Sequence, residues 1–258
     1  MKNSLFIILM LVLLPSAVVA QQHAAAEKAW MIGVGGVNIL DTYISPEKYS
    51  GEELRFVSYA AFHGSKHPEI VTQFTHEGNL QMASPRSDNA DDLAASYRFA
   101  YAMRREWKLG ERFFLQAGAQ TDFSLGFLYN SRNGNNPAQL KSHLSVAPNA
   151  VVCYSFPLWR KEIGIRYEVS VPLLGAMFTP NYGQSYYEIF SRGNYDHNIA
   201  FTTPFNAPSL GQLLAVDIPI KKTTVRLGYL GDYRQADVNS LKYHTYSHLL
   251  VIGLVKHF

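Results

Sequence analysis

Apolar and polar residues alternate one by one over most of the chain. From Glu162 to Leu173, one face carries Ile163, Ile165, Tyr167, Val169, Val171 and Leu173, against Glu162, Gly164, Arg166, Glu168, Ser170 and Pro172. From Thr224 to Tyr233, Val225, Leu227, Tyr229 and Tyr233 oppose Arg226, Gly228 and Asp232. From Arg112 to Phe127, Phe113, Leu115, Ala117, Ala119, Phe123, Leu125 and Phe127 oppose Gln116, Gln120, Asp122 and Ser124. Leu93 to Met103 repeats the pattern against Ser96, Arg98 and Arg104. A period of two marks strands with chemically different faces. The helical spacing i, i+3, i+4, i+7 is scarce.

These runs are mostly ten residues or more. Soluble strands average about 5 or 6 residues, whereas about 9 to 11 tilted residues cross a bilayer. A soluble sandwich would bury the apolar face between two sheets. A transmembrane barrel turns it to lipid and keeps the charged face inside. The pattern predicts a closed antiparallel barrel, all-β, with ten strands over roughly 30–40, 53–63, 69–82, 93–107, 112–129, 142–156, 162–176, 209–218, 223–233 and 243–258. Twelve strands is the alternative. Pro204 and Pro208 bracket the apolar piece Asn198–Phe205, which argues against a spanning strand there and for an extracellular hairpin with Tyr186–Phe190. Short connections (Gly64–Pro68, Lys108–Glu111, Pro157–Lys161, Pro219–Lys222) alternate with long ones (Asp41–Glu52, Ser84–Asp92, Asn130–Lys141, Met177–Pro208, Arg234–Lys242). A barrel with both termini on the periplasmic side has that order. Trp30, Trp107 and Trp159 then fall at the periplasmic rim, as an aromatic girdle.

Composition narrows the class further. The chain has 258 residues, 47% hydrophobic, 13% aromatic and 17% charged, which excludes disorder. The net charge of +3 is spread without a basic block, so nucleic acid is not indicated. One cysteine, Cys153, excludes a disulfide scaffold. Lys2, the apolar run Leu5–Leu14 and the small residues Val18-Val19-Ala20 predict a signal peptide over 1–20, leaving 21–258 as a single barrel domain.

The final strand, His248 to Phe258, places Leu250, Ile252, Leu254 and Phe258 on one face, with Lys256 departing from the pattern. With the signal peptide and the run Tyr182-Gly183-Gln184-Ser185-Tyr186-Tyr187-Glu188-Ile189-Phe190, it resembles small outer-membrane β-barrel proteins of Bacteroidetes-type Gram-negative bacteria. The resemblance implies fold and an outer-membrane location. It supplies no catalytic residues.

The inward face predicts a lumen network. Asp217 and Arg226 stand equidistant from the turn at Lys221–Lys222, and Arg98, Asp122, Asn149 and Glu168 are expected at similar height on successive strands. A ten-stranded lumen is narrow, so these charges are expected to fill it. The predicted role is binding or assembly with an envelope protein partner or surface ligand, in contact with outer-membrane lipid. Tyr182, Tyr186, Tyr187, Phe190 and Tyr195 of the longest loop are the candidate contacts, or else the aromatics of a self-packed lid. A narrow pore is one alternative. A lipid hydrolase using His143 and Ser145 is another, since a His and a Ser two apart share a strand face. Against it, both residues should point inward, and the acids Asp122 and Glu168 should lie about six residues lower, roughly 20 Å at strand rise. Asp196-His197 and Asp91-Asp92 resemble the acid pair and Asp-His dyad of omptin proteases only weakly. Enzymatic activity is thus not favoured. Neither a cofactor nor a metal is expected, because the nine histidines show no ligand spacing.

Overall fold

The computed structural model describes residues 27–87, 90–134, 137–159 and 161–258; the expected signal peptide at 1–20 lies outside the described residues. Twelve strands follow in order: β1 (Glu27–Asp41), β2 (Ser45–His63), β3 (Ile70–Pro85), β4 (Asp92–Lys108), β5 (Phe113–Asn130), β6 (Ala138–Leu158), β7 (Lys161–Ser170), β8 (Leu174–Phe178), β9 (Ile199–Thr202), β10 (Leu210–Ile220), β11 (Thr223–Val238) and β12 (Leu241–His257). One short helix, α1 (Tyr186–Phe190), lies between β8 and β9. Each strand of the wall pairs antiparallel with its neighbours in the order β5-β4-β3-β2-β1-β12-β11-β10-β7-β6, and β5 pairs with β6 to close the ring. Ten strands therefore make the barrel. The other two, β8 and β9, form a hairpin on the upper half of β6.

The ladder register fixes the barrel's shape. A path across the strands from Ala138 runs through Tyr129, Leu93, Met82, Glu52, Gly36, His248, Gly231, Gln212 and Val169, and returns to β6 at Ala150, twelve residues along. Ten strands with that stagger tilt by ~40° and enclose a backbone cylinder of roughly 10 Å radius. So narrow a ring leaves room for side chains and little else.

Alternation sorts those side chains. Ile32, Val34, Phe56, Leu80, Phe123, Leu125, Leu144, Leu214, Ile252 and Leu254 stand exposed on the outer surface, as an apolar belt. Arg55, Arg104, Asp122, Asn149, Arg166 and Arg226 are buried inside. That is the inverse of a soluble protein and the arrangement of an outer-membrane-type barrel. Trp30, Trp107 and Trp159 are all exposed near the end at which β1 starts and β12 finishes.

Four expectations change. Asp41–Glu52 is not a long loop: β2 starts at Ser45, and only residues 42–44 turn. Arg234–Lys242 is likewise strand, with β11 running to Val238 and a tight turn at Asn239 and Ser240, whose φ angles are 52° and 59°. The strand expected over 162–176 is broken after Ser170, where Pro172 has no N–H to give; Val171 and Leu173 still donate to the Pro148 and Val146 carbonyls (3.3 and 3.0 Å). Asn198–Phe205 does contain a strand, β9, but it pairs with β8 and not with Tyr186–Phe190, which is helical.

Candidate functional site

The lumen holds two arginine-centred layers. In the layer nearer the termini, Arg226 donates from Nε and Nη2 to the two oxygens of Asp217 at 2.6 and 2.7 Å. It also donates to the Tyr59 hydroxyl and reaches Glu27 at 3.3 Å. Tyr59 donates to Glu27, and its ring lies between the Arg166 and Arg226 guanidiniums, each 5.7 Å from its centroid. Arg166 pairs with Glu168 at 2.9 Å. Arg104 joins Glu168 (3.2 Å), Asn149 (2.7 Å) and Gln73 (2.6 Å).

The second layer centres on Arg55. It pairs with Glu53 (2.6 Å), Asp232 (2.8 Å) and Glu77 (3.4 Å). Arg98 pairs with Glu77 and lies 3.6 Å from Asp122. Gln120 donates to both Asp122 oxygens at 3.0 Å, and Arg234 holds Asp232 at 2.8 Å. A lone charge in such a lumen would cost several kcal/mol, which explains why each arginine has a carboxylate partner. Among the described residues the cavities left between these side chains include one of about 140 Å³ above, between Arg98, His143 and Arg234, and one of about 70 Å³ below, between Arg55, Gln73 and Glu168.

The six network residues thus fall in separate groups. Asp217 and Arg226 face each other directly in the β10–β11 register. Arg98 and Asp122 belong to the upper layer, whereas Asn149 and Glu168 join the lower one through Arg104. The single level expected for these four is corrected: Asn149 faces Gly118 on β5, four residues below Asp122. Tyr59, Glu53, Glu27 and Ser247 are part of the network and were missed. The signal for the first two was the run Glu53, Arg55, Val57, Tyr59, one inward parity on β2.

His143 and Ser145 point inward, as expected, and Glu168 lies lower, as expected, facing Val151 on β6; Asp122 does not lie lower. Asp122 is opposite Ser145 in the β5–β6 register. A charge relay is nevertheless not assembled. Ser145 is 1% exposed, and its hydroxyl has no hydrogen-bond partner among the described residues. His143 Nε2 instead meets the Thr202 hydroxyl at 3.3 Å. Asp196 and His197 pair at 2.8 Å on an exposed loop, while Asp92 is buried under Asn130, which donates to it at 2.8 Å.

The end opposite Glu27 and His257 carries a built crown. Ser185 caps α1: its hydroxyl accepts from the Glu188 N–H, and the Glu188 carboxylate accepts from the Ser185 N–H at 2.7 Å. That bond holds the Glu188 carboxyl below its ordinary value. Tyr43 donates to the Gln184 carbonyl at 3.0 Å, and the Tyr186 hydroxyl accepts from the Leu140 N–H at 2.7 Å. Burial pushes the Tyr43 hydroxyl up to about 12. The Tyr186 ring stacks on Phe190 (5.9 Å, 12°) and meets Tyr43 edge-on (5.9 Å, 88°). Ile189 is fully buried beneath. Of the five candidate contacts, Tyr186 is therefore built into the crown, and Tyr182, Tyr187, Phe190 and Tyr195 are exposed on it.

The chain belongs to the protein family of unknown function DUF3316, whose family model matches residues 5–258. No curated protein matches it. Among solved structures it is similar to the outer membrane protease OmpT from Escherichia coli, at 9% identity over 93% of this chain and 99% of that one, TM-score 0.44. It is also similar to the transport unit of the autotransporter AIDA-I from Escherichia coli (6% identity, 93% and 92%, TM-score 0.48). A third is the translocator domain of the autotransporter NalP from Neisseria meningitidis (10% identity, 100% and 98%, TM-score 0.41).

Proposed function

We propose that this member of the family DUF3316 resides in the outer membrane of a Bacteroidetes-type Gram-negative bacterium, does not conduct, and works by binding an envelope partner or surface ligand on its extracellular crown. The observation that carries the reading is the pair of arginine-centred layers. They fill most of the lumen of a ten-stranded ring, which argues against a continuous wet path for a solute and for function on the outer surfaces. The crown supports the second half. It is ordered by its own cap and stacking, and it presents Tyr182, Tyr187, Phe190 and Tyr195 outward. Rigid exposed aromatics bind at low entropic cost.

The test joins a measurement on the protein purified from native membrane with one in intact cells. In planar bilayers the wild type gives no steady ohmic steps. With a photo-crosslinking residue in place of Tyr187 or Tyr195, a discrete envelope component is captured in intact cells, and the same probe in place of Trp159 at the other rim captures none. Reproducible ohmic conductance would replace the reading with that of a narrow pore. Absence of any adduct specific to the crown would remove the binding role.

A further inference from the structure

The apolar belt is not even around the barrel. On β5 it runs unbroken to the extracellular end through Phe123, Leu125, Phe127 and Tyr129, all exposed. On β12 it stops at Leu250, and the next outward positions are His248, Tyr246 and His244. The neighbouring strand follows suit: above Leu227, β11 turns Tyr229, Tyr233 and Gln235 outward.

These side chains form one connected surface. Tyr229 Oη shares hydrogen bonds of 2.7 Å with Tyr233 Oη and with His248 Nδ1. Tyr246 donates to Gln235, and His244 Nε2 meets Asn38 Oδ1 at 2.7 Å. The His244 and Tyr246 rings stack at 4.4 Å and 4°, and Tyr233 stands edge-on to His248 at 5.2 Å. His248 lies between two glycines in the ladder, Gly231 on β11 and Gly36 on β1. On the Gly36 side its ring is flanked by bare backbone, in a shallow notch, since a Cβ there would meet nothing nearer than the Gly51 carbonyl at 3.9 Å. A Cβ at Gly231 would come within 3.0–3.1 Å of Tyr233 Oη, Gln212 Nε2 and Tyr229 Oη, so three polar tips converge over that spot.

Polar groups facing hydrocarbon cost free energy unless paired, and a lipid-facing wall has no use for them on packing grounds. The patch residues on β11, β12 and β1 carry no formal charge, and Glu52 and Lys48 of β2 border it. It offers hydroxyl, imidazole and amide groups between ring faces, with the second nitrogen of His248 outside the hydrogen-bond chain described. Hydroxyl-rich rings match that chemistry: their O–H groups pair with Tyr, His and Gln, and their C–H faces lie on aromatic rings. The patch is continuous with the lipid-facing belt below it, at Leu250, Ile252 and Leu254. Its occupant must therefore carry acyl chains. We propose that the outer wall of β11, β12 and β1 is a binding site for the sugar headgroup of a membrane glycolipid, drawn down into the notch at His248. The site is separate from the crown and does not depend on it.

The experiment is native mass spectrometry of the full-length barrel released from nanodiscs. The nanodiscs contain equal amounts of a monoglucosyl diacylglycerol and a phosphatidylglycerol with the same acyl chains. The wild type retains the glucolipid about tenfold over the phospholipid, roughly the weight of one or two net hydrogen bonds. Tyr229→Phe combined with Tyr233→Phe removes two hydroxyls and no ring, and brings the ratio to near one. Gly231→Ala pushes the Tyr229, Tyr233 and Gln212 tips from the spot where they converge and has the same effect with every ring and hydroxyl still present. Each variant must keep the heat-modifiable band of a closed barrel; if the double variant loses it, Gly231→Ala decides. Equal retention of both lipids by the wild type overturns the proposal. So does a preference that survives both variants, or displacement of the glucolipid by free glucose at equal concentration, which would mean that no lipid anchor is needed. A His248→Cys protein that cross-links to a second copy in nanodiscs would assign the patch to self-association instead.

Discussion

Arg226→Met is the sharpest test of what holds the lumen. The guanidinium makes two short bonds to Asp217, one to Tyr59 and one to Glu27, and Arg226 is 1% exposed. Methionine keeps most of the volume and removes every donor. Two carboxylates, Asp217 and Glu27, are then left facing a narrow lumen with one cationic neighbour fewer. Removing one partner of a buried pair costs about 3–5 kcal/mol, most of it for the charge left behind. Asp217→Asn should cost less, about 1–2 kcal/mol, because Arg226 keeps Glu27 and Asp217 is partly open to water. The double variant should fall short of the sum by about 1–2 kcal/mol, the coupling of the pair. The assay is urea unfolding of protein refolded into phospholipid vesicles, followed by tryptophan fluorescence. With slopes of about 1–3 kcal/mol/M, Arg226→Met lowers the midpoint by roughly 1–5 M at unchanged slope. A loss below about 1 kcal/mol, or a cycle that is additive, would refute the idea that these ion pairs close the lumen.

Four further outcomes follow from the same structure. Ser145→Ala removes a buried, unpartnered hydroxyl, so stability is unchanged or rises by up to about 1 kcal/mol and membrane lipid composition stays the same; loss of one deacylated lipid species in both this variant and a deletion strain would restore the hydrolase reading. Ser185→Ala weakens the α1 cap by about 1 kcal/mol, seen as faster amide exchange over residues 186–190 with the barrel intact. Because the Glu188 carboxyl is lowered in the folded crown, its support is complete above pH 4.5 and fades as the pH falls through the lowered value; exchange over α1, corrected for its intrinsic pH dependence, that is the same at pH 6 and pH 3 would contradict this. Gly118→Ala places a Cβ 2.0 Å from the Met103 carbonyl oxygen on β4, and the wall must part; the heat-modifiable band should be lost, and its retention would show the β4–β5 contact to be looser than drawn.

How much of this was legible in the chain depends on the turns. Alternation alone told inside from outside, because a period of two is written residue by residue and needs no partner. Register needs a turn, and turns differ in how openly they show themselves. At Lys221–Lys222 two residues reverse the chain, with Lys221 at a φ of 57°, and counting outward from them pairs Asp217 with Arg226 as the structure does. Between β5 and β6 the same counting failed. The polar run Asn130–Lys141 reads as one loop, yet β6 begins at Ala138. The reason is Asn130: its side chain accepts from the Arg132 and Asn133 N–H groups at 3.1 and 3.0 Å, and its own N–H donates to the Pro137 carbonyl at 2.7 Å. That local capping tightens the reversal and carries the ladder past its apparent end. Asp122 then faces Ser145 and not Asn149. An error of this kind moves a side chain four positions along a strand without changing its face. The list of inward charges therefore survived, whereas the grouping into layers did not. The crown and the polar notch were hidden for a related reason. Tyr186, Phe190 and Tyr43 meet through tertiary stacking, and His248 joins Tyr229 and Tyr233 across a register that the alternation does not encode.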